Sequence, residues 1–434
     1  MELSGKRVVV VGGGIAGLTA AYDLARRGAA VTLLERRPLL GGLARAGEDG
    51  SGLELYYHFI CGADTALVAL IEELGLGPEL QWTPARTAYH VSGRLYPFTT
   101  PLDILRFPPL SLRDRLRFGR FAAQCRSRKR WEELDEQAAE TWLRRETGPR
   151  VYDVIWRPLL ELKFGGFYPQ VSAAWFWHRL WRASQSRSSL LQPEKFGWLL
   201  GGTQSLLNAL AARLSEHGAE IRLGEAALRL VIRGGRVLAV TTATEELPAD
   251  AVIQAVPLPD AAALLPPEAS TWQQELLAVD FLGVRCLRLR LDQSVSEAYW
   301  VNVNNPQVAF NGFIEYSRLN PHVEPGGALI YIPMYLAADD PRYHLSAEDL
   351  TQELLQGLSV IAPGFEASSL REAVLTTDPY AQAVTPPGFR HRIPGLAGPV
   401  RGAYLLDSSQ LYPSDRCLSG MVRLARRLVT ELKI

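Results

Sequence analysis

The stretch that decides the fold runs from Val8 to Gly47 and reads VVVVGGGIAGLTAAYDLARRGAAVTLLERRPLLGGLARAG. Its four consecutive valines predict a buried strand, since parallel strands covered on both faces read as continuous apolar runs. Apolar residues at helical spacing follow the glycines, and Gly28 stands where that helix ends. A second strand begins at Ala30 and ends at Glu35. The order strand, glycine turn, helix, strand and acid predicts one βαβ unit of a parallel sheet.

Three glycines between the first strand and the helix have the spacing G-x-G-x-x-G, and each has a separate task. Gly12 makes the tight turn, Gly14 lets the backbone approach a pyrophosphate closely, and Gly17 lets the helix pack closely on the strand. The helix N-terminus offers unpaired N–H groups and a positive dipole to the phosphates. Glu35 lies about 20 residues after these glycines, at the position where a carboxylate accepts hydrogen bonds from the ribose hydroxyls. The sequence therefore predicts a Rossmann-like domain that binds a dinucleotide.

The residues after Glu35 indicate which dinucleotide is bound. Arg36 follows the acid directly, and the pair Gly41-Gly42 comes next, with Arg45 three residues further on. This run resembles the flavoproteins with two dinucleotide-binding domains, in which the glycine pair approaches the pyrophosphate and an arginine neutralises it. The resemblance implies FAD as cofactor. The alternative interpretation of the glycine pair is a surface turn.

Two later segments resemble further FAD-binding segments of the flavin-containing amine oxidase superfamily. One is a glycine-led helix beginning at 201–205, followed by strands at 219–223 and 251–256. The other is a strand at 402–406 followed by a one-faced helix that includes Met421. The superfamily includes protoporphyrinogen oxidases, phytoene-type desaturases, monoamine oxidases and, more distantly, UDP-galactopyranose mutases. The runs 56–59, 93–98 and 156–165 look most similar to its bacterial protoporphyrinogen-oxidase-like group.

The resemblance implies a set of cofactor contacts. Ala227 stands near the place where backbone groups hold the adenine. Leu-Asp-Ser replaces the usual Ala-Gly-Asp at the last strand, so either Asp407 or Ser408 is expected to hold the ribityl chain. The next helix directs its positive end at the flavin pyrimidine. The complete set of implied FAD contacts is Gly12, Gly14, Ile15, Ala16, Gly17, Glu35, Arg36, Gly41, Gly42, Leu43, Arg45, Ala227, Asp407, Ser408, Arg416 and Met421.

The expected fold class is α/β, with a Rossmann-like (GR2-type) FAD-binding domain and an inserted α+β substrate domain that contains a helical subregion. The FAD-binding segments are expected at 1–75, 195–265 and 395–434. The substrate domain is expected at 76–194, helical and with a candidate membrane-facing edge, and at 266–394 as a mixed sheet.

Composition narrows the classes of function. Lysine plus arginine equals aspartate plus glutamate, 46 against 46, so no overall field favours nucleic acid. The four cysteines are scattered without metal-site spacing, which is typical of reduced thiols in a cytoplasmic protein. The sequence contains no uninterrupted apolar run of about 18 residues, so we expect no transmembrane helix. The first strand begins too early to leave room for a signal peptide, so we expect a cytoplasmic protein. Because no cluster of His and Cys has the spacing of a zinc site, we expect no metal.

Three residues are candidates for chemistry beside the flavin, which itself carries the reaction in such enzymes. His58 is placed to exchange a proton near neutral pH, or is a hydrogen-bonded interdomain histidine. Lys163 is expected to hold a water or anion near flavin N5, or to be an ion-pair partner. Tyr380 lies where a substrate-domain strand returns toward the flavin, and it either walls the pocket or packs in the core.

Two groups of residues indicate what the protein binds. The aromatic residues Trp175, Phe176, Trp177 and Trp181 indicate a helical core or a pocket for a flat apolar substrate. Residues 101–131 are rich in arginine beside the apolar turn 107–110, with a helical stripe of Phe118, Phe121, Ala122 and Cys125. Such a segment suits peripheral docking at the inner face of an anionic membrane, where relatives with membrane-dissolved substrates also dock. A solvated basic helix is the alternative.

The leading hypothesis is an FAD-dependent oxidoreductase that oxidises or desaturates a bulky, largely apolar or aromatic small molecule. Hydride transfer to flavin N5 would be followed by reoxidation with oxygen or a quinone. The first alternative is a non-redox mutase similar to UDP-galactopyranose mutase, whose diphosphate site would use Arg94, Arg157, Arg179 and Arg182. A second alternative is an amine oxidase, and a third is a flavin-bearing carrier of a lipid or isoprenoid.

Overall fold

The computed structural model describes residues 3–48, 52–185 and 193–433. The strands of this part of the chain are β1 (Arg7–Val11), β2 (Ala30–Glu35), β3 (Ile60–Cys61), β4 (Leu80–Pro84), β5 (Thr87–Val91), β6 (Arg94–Pro97), β7 (Lys195–Leu199), β8 (Glu220–Leu223), β9 (Arg229–Arg233), β10 (Arg236–Thr241), β11 (Glu246–Pro248), β12 (Ala251–Gln254), β13 (Phe281–Leu291), β14 (Trp300–Asn304), β15 (Gly312–Glu315), β16 (Ala328–Leu336), β17 (Leu370–Ala383) and β18 (Ala403–Leu405).

The α-helices of the same residues are α1 (Ile15–Arg26), α2 (Thr65–Glu73), α3 (Pro101–Leu105), α4 (Leu112–Ser127), α5 (Glu132–Asp135), α6 (Ala139–Thr147), α7 (Pro149–Val151), α8 (Arg157–Phe164), α9 (Ala173–Gln185), α10 (Gly202–Glu216), α11 (Leu258–Ala263), α12 (Ser270–Leu277), α13 (Ala347–Ile361) and α14 (Leu418–Glu431). Among the described residues, none of these helices combines the length and the apolar composition that are needed to span a bilayer.

A five-stranded parallel sheet positions the N-terminal glycine turn. Its strand order is β18-β12-β1-β2-β8, so three distant parts of the chain contribute to it. Helices α1, α10 and α14 cover one face through a shared apolar core, and the antiparallel sheet β11-β10-β9 packs on the other. Burial on both faces explains why β1 is a run of valines. The predicted α/β fold class is confirmed, while the domain boundaries stay predictions.

A seven-stranded mixed sheet, in the order β17-β13-β16-β15-β14-β5-β6, forms the second layer. Helix α13 packs on one of its faces, and the helices α4 to α9 lie on the other side. Residues 80–97 differ from the helical expectation, since they form β4, β5 and β6. Ser92 and Gly93 both have positive φ angles, of 53° and 75°, and make the two-residue turn between β5 and β6. Strand β5 then pairs in parallel with β14, more than 200 residues later in the chain.

The helical part of this layer has an aromatic core. Trp156 stacks on Phe118 at a centroid distance of 5.0 Å, and Phe176 meets Trp156 edge-on at 5.4 Å. Trp175 and Trp177 are buried in the same core, which agrees with the interpretation of these rings as packing residues. The indole N–H of Trp177 donates to the Cys125 carbonyl at 2.9 Å, which ties α9 to α4.

The larger apolar residues that were expected at a membrane-facing edge are instead buried in this core, whereas Pro108 and Ala122 are exposed. Phe107 and Leu110 are each 1% exposed, and the stripe residues Phe118 and Phe121 also face inward. They pack against neighbouring rings such as Phe98, whose centroid lies 5.2 Å from that of Phe107. The turn at 107–110 therefore does not offer these side chains to a bilayer.

Candidate active site

A cavity of about 730 Å³ runs from the glycine turn at the end of β1 into the space between the two sheets. It is lined by every residue that the sequence proposed for cofactor or catalysis except Gly17, which lies behind the turn. The predicted residues that line it are Gly12, Gly14, Ile15, Ala16, Glu35, Arg36, Gly41, Gly42, Leu43, Arg45, His58, Lys163, Ala227, Tyr380, Asp407, Ser408, Arg416 and Met421. Their individual roles stay predictions.

The three glycines of the first turn occupy different environments. Gly12 has a φ of 107°, and a Cβ atom there would lie 2.4 Å from the Ala255 carbonyl oxygen. A Cβ atom on Gly17 would lie 1.9 Å from the Gly12 carbonyl oxygen, so only glycine allows this approach of α1 to the turn. A Cβ atom on Gly14 meets nothing within 4 Å, because it would point into the cavity.

The second glycine pair lies directly against the first turn. The Gly41 N–H donates to the Gly13 carbonyl at 2.8 Å, and Gly41 has a φ of 126°. A Cβ atom on Gly42 would lie 3.5 Å from the Cα atom of Gly14. The sequence did not single out Gly13, although a Cβ atom there would lie 2.5 Å from Leu40 Cδ2. The pair is therefore part of the cleft wall and not a surface turn.

Glu35 closes the cleft at the end of β2. Its carboxylate accepts hydrogen bonds from the backbone N–H of Gly13 at 2.8 Å and of Arg37 at 2.9 Å. These two bonds fix the carboxylate between the glycine turn and the cavity, the position expected for a group that accepts ribose hydroxyls. The Arg36 side chain is half exposed and pairs with Asp260 at 3.1 Å.

Arg45 is held in place by an aspartate that the sequence did not reveal. Asp378, on β17, accepts from Arg37 at 2.6 Å, from Arg45 at 3.1 Å and from the Tyr56 hydroxyl at 2.8 Å. Arg45 also donates to the Gly42 carbonyl at 2.6 Å. The side chains of Asp378 and Arg45 are only 8% and 6% exposed, so this is a buried ion pair beside the glycines.

The residues present fit an FAD molecule. Helix α1 has no side-chain cap and no acidic residue in its first turn, so the N–H groups of Ile15 and Ala16 are left for an anion at the cavity wall. After the edge strand β18, Asp407 lines the same cavity and its carboxylate accepts a hydrogen bond from Ser409 N–H at 2.8 Å. Burial raises the pKa of the Asp407 carboxyl. When bound here, FAD would be held by these groups together with Gly14 and Arg45.

The part of the cavity between the two sheets is lined largely by rings, and we call it the aromatic chamber. Tyr57 meets Trp300 edge-on at a centroid distance of 5.4 Å, and Phe59 stacks on Phe196 at 4.4 Å. Tyr335, on β16, also lines the cavity. The pKa of Tyr57 is raised well above its ordinary value, mainly by burial and to a smaller extent by the charge of the neighbouring Tyr335. The chamber rings come from strands and loops, and not from the tryptophans of α9.

One end of the aromatic chamber carries a group of charges. Asp415 lies 2.9 Å from Arg179 and 3.4 Å from Lys163, and Arg416 donates to the Tyr335 hydroxyl at 2.7 Å. Burial lowers the pKa of the Lys163 ammonium, although Asp415 opposes this. Burial alone would raise the pKa of Asp415, but Lys163 and Arg179 outweigh it and hold the pKa below its usual value. Lys163 is thus both desolvated and ion-paired.

His58 is oriented by a second residue that the sequence analysis missed. Its Nδ1 atom lies 2.8 Å from a carboxylate oxygen of Glu54, which is buried. The other oxygen of Glu54 accepts from Thr203 N–H at 2.7 Å, in the first turn of α10. One carboxylate therefore joins the histidine to the second glycine-led segment. His58 also lines the cavity.

Tyr380 lines the cavity two residues after Asp378, on the same strand as this anchor of Arg45. Its ring meets Phe281 edge-on at 6.0 Å. The structure does not bring together the four arginines suggested for a diphosphate. Arg179 and Arg182 line the cavity, whereas Arg94 and Arg157 do not, and Arg157 pairs with Glu161 at the surface.

Comparison with known proteins shows which family the chain resembles. The model of the flavin-containing amine oxidoreductase family matches residues 15–406. Human protoporphyrinogen oxidase is 29% identical over 328 residues, which are 66% of this chain and 67% of that protein. The 15-cis-phytoene desaturase of Synechococcus elongatus is 22% identical over 96% of this chain and 92% of its own. The structure of a reduced UDP-galactopyranose mutase is similar with a TM-score of 0.79, 16% identity and coverage of 98% and 95%.

Proposed function

Because the chain belongs to the flavin-containing amine oxidoreductase family and is an FAD-dependent oxidoreductase, we propose that it oxidises or desaturates a bulky, largely apolar small molecule. The observation that carries the proposal is the continuity of the cavity. The glycine-lined cleft that fits FAD opens without interruption into the aromatic chamber. A flat or extended apolar substrate would lie against these rings, since small-molecule sites are lined mainly by such side chains.

Each part of the chamber has a role in this proposal. FAD, when bound, supplies the acceptor for a hydride from the substrate. Tyr57, Trp300 and Phe59 exclude water and orient the substrate by ring contacts, which are worth about 0.5–1.5 kcal/mol each beyond the buried area. The indole N–H of Trp300 donates to Asn302 at 2.9 Å, which fixes the orientation of its ring. The names of two relatives, a protoporphyrinogen oxidase and a phytoene desaturase, agree with a substrate of this class.

Anaerobic mixing with three probes tests the proposal. Protoporphyrinogen IX, phytoene in detergent micelles and benzylamine represent a porphyrinogen oxidase, a desaturase and an amine oxidase. We expect one of the first two to bleach the visible flavin absorbance, and Trp300→Ala to slow that bleaching without loss of FAD. Admission of air or of a soluble quinone to the reduced protein then identifies the electron acceptor. Bleaching by the amine alone contradicts an apolar substrate, and bleaching by none of the three favours a flavin-bearing carrier.

A mutase similar to UDP-galactopyranose mutase is the second candidate function. The observation in its favour is that Arg179 and Arg182 line the cavity beside the aromatic chamber, where they would face a diphosphate. Both already pair with carboxylates, Arg179 with Asp415 and Arg182 with Asp64 at 2.6 Å, which weakens this case. Incubation of the dithionite-reduced protein with UDP-galactopyranose decides between them. Isomerised product supports the mutase, and unchanged nucleotide sugar excludes it.

We further propose peripheral contact with an anionic membrane, through leucines that differ from the apolar residues of the sequence-based prediction. Five of the exposed large apolar side chains fall within 22 residues around α3 and α4, and each is between 46% and 65% exposed. They are Leu95, Leu102, Leu105, Leu112 and Leu116. Arg106 and Arg113 are exposed between them and Arg120 is exposed just beyond Leu116, and none of the three has an ion-pair partner among the described residues. Apolar side chains flanked by arginines suit an anionic lipid surface.

Sedimentation with vesicles tests this contact. We expect the protein to sediment with vesicles of phosphatidylglycerol and to stay in solution with phosphatidylcholine, because each basic residue near an anionic surface contributes about 1 kcal/mol. The double variant Leu112→Glu with Leu116→Glu should lose the binding. The matched control is Leu277→Glu with Val360→Glu, which changes two exposed apolar residues elsewhere. Equal sedimentation of both variants contradicts docking through α4.

A further inference from the structure

Tyr335 has an environment unlike that of any other tyrosine in the aromatic chamber. Its hydroxyl oxygen accepts a hydrogen bond from Arg416 Nη2 at 2.7 Å, and the Arg416 guanidinium carbon lies 5.5 Å from the ring centroid. The Lys163 ammonium lies 4.9 Å from the same centroid. Tyr335 is 6% exposed, so water screens these charges little.

The single carboxylate of Asp415 neutralises only part of the positive charge around Tyr335. Asp415 is shared, since one oxygen contacts Lys163 and Arg179 and the other accepts the backbone N–H of Arg416. Within the described ranges no carboxylate forms an ion pair with the Arg416 side chain, and its buried Nε atom has no hydrogen-bond partner. Because arginine offers only donors and stays charged, its side chain favours the anionic form of the phenol that it contacts.

The groups around Tyr335 act on its proton in opposite directions. Burial by itself raises the pKa of the phenol, and the negative charge of Asp415 adds to this. The cations Arg416 and Lys163 outweigh these effects, so the pKa of Tyr335 is lowered below its ordinary value. Its neighbour Tyr57 has a raised pKa and stays neutral. Two adjacent groups whose pKa values are pushed apart are typical of an acid–base site.

We propose that Tyr335 is a catalytic residue of the oxidation, accepting the proton that the substrate loses as a phenolate held between Arg416 and Lys163. The inference rests on the proposed function. In the step, a C–H bond of the substrate breaks and its electron pair leaves with the hydrogen as hydride to the FAD. The X–H bond on the adjacent atom breaks, its proton goes to the phenolate oxygen of Tyr335, and its electron pair forms the C=X double bond. The neutral phenol then returns its proton to the solvent.

An ultraviolet difference titration of the FAD-loaded protein tests the phenolate without any substrate. The wild type should show one tyrosine ionising below the usual value of about 10, and Tyr335→Phe should lack it. Tyr380→Phe is the matched control for this spectrum, because Tyr380 lines the cavity and no cation of the described residues lies over its ring. Arg416→Gln should move the ionisation to higher pH, while Arg416→Lys should restore part of it.

The role in proton transfer is measured with the probe that bleaches the wild-type flavin. Tyr335→Phe should slow the reduction by about 10²- to 10⁴-fold, the usual size of a general-base effect, and should remove the ascending limb of the pH profile. The KM for the probe should change little. If Tyr335→Phe titrates like the wild type, or if it is reduced at the wild-type rate, the proposal is wrong. Absence of bleaching in the wild type would instead count against the proposed function, and the titration alone would then decide whether the phenolate exists.

Discussion

Replacement of Asp378 by asparagine tests how the cavity holds its arginine. The substitution removes the charge that Arg37 and Arg45 share, while the amide oxygen keeps one acceptor for a single donor. Removing one partner of a buried ion pair costs about 3–5 kcal/mol, and the retained acceptor places Asp378→Asn near 3 kcal/mol. We expect the free energy of unfolding to fall by that amount, because Arg45 is buried and loses its counter-charge.

The same change should weaken FAD binding. Arg45 would no longer be held beside Gly42, so its charge-assisted contact with the cofactor is lost or misplaced. Such a contact is worth about 1.5–3 kcal/mol, which corresponds to roughly 10- to 100-fold in the dissociation constant. The assay is quenching of flavin fluorescence as apoprotein is titrated with FAD, with urea unfolding measured on the same samples.

Asp250→Asn is the control for this experiment. Asp250 pairs with the exposed Arg7 at 3.3 Å, away from the cavity, and such surface pairs contribute at most about 1 kcal/mol. We expect its FAD affinity to equal that of the wild type. If Asp378→Asn bound FAD as tightly as this control, Arg45 would not depend on Asp378, and the assignment of the pair would be refuted.

Two further predictions concern stability. Gly17→Ala should lower the unfolding temperature strongly or prevent folding, because its Cβ atom would lie 1.9 Å from the Gly12 carbonyl oxygen. Thermal unfolding followed by circular dichroism measures this change. An unchanged midpoint would contradict the prediction. His178, on α9, has its pKa lowered to about 4 by burial and then by the charge of Arg182. The unfolded state therefore binds the proton first, and stability present above about pH 6.5 is lost as the pH falls toward 4, by up to about 3 kcal/mol. His178→Phe should lose less stability than the wild type between pH 7 and pH 4.5 in urea unfolding, and an equal loss in both would contradict the prediction.

The cofactor half of the cavity was predictable because its signals are local. Gly12, Gly14, Gly17 and Glu35 lie within one βαβ unit, and each glycine has a steric task that its spacing expresses. The adjacent pair at 41–42 follows the same logic. The two later segments were recognised by resemblance, and their strands join the same sheet, since β12 pairs with β1 and β18 pairs with β12.

The other half depends on contacts between residues far apart in the chain. Asp378 is 333 residues from Arg45 and Tyr335 is 81 from Arg416, and no local pattern marks either pair. Strand β5 was missed because its partner β14 lies far along the chain, although the Ser92-Gly93 turn was a usable hairpin signal. The spacing of Phe118, Phe121 and Cys125 correctly indicated an apolar stripe on α4, but it did not indicate whether the protein core or a membrane covers that stripe.

Binding of FAD to the apoprotein, compared between the wild type and Gly14→Ala, tests the central claim most directly. A Cβ atom at Gly14 meets no protein atom within 4 Å, and its φ of −73° suits alanine, so the variant should fold normally. The account predicts that the wild type becomes yellow with one equivalent of FAD and that Gly14→Ala binds far more weakly at an unchanged unfolding temperature. A wild type that stays colourless, or a variant that binds as tightly, would contradict it.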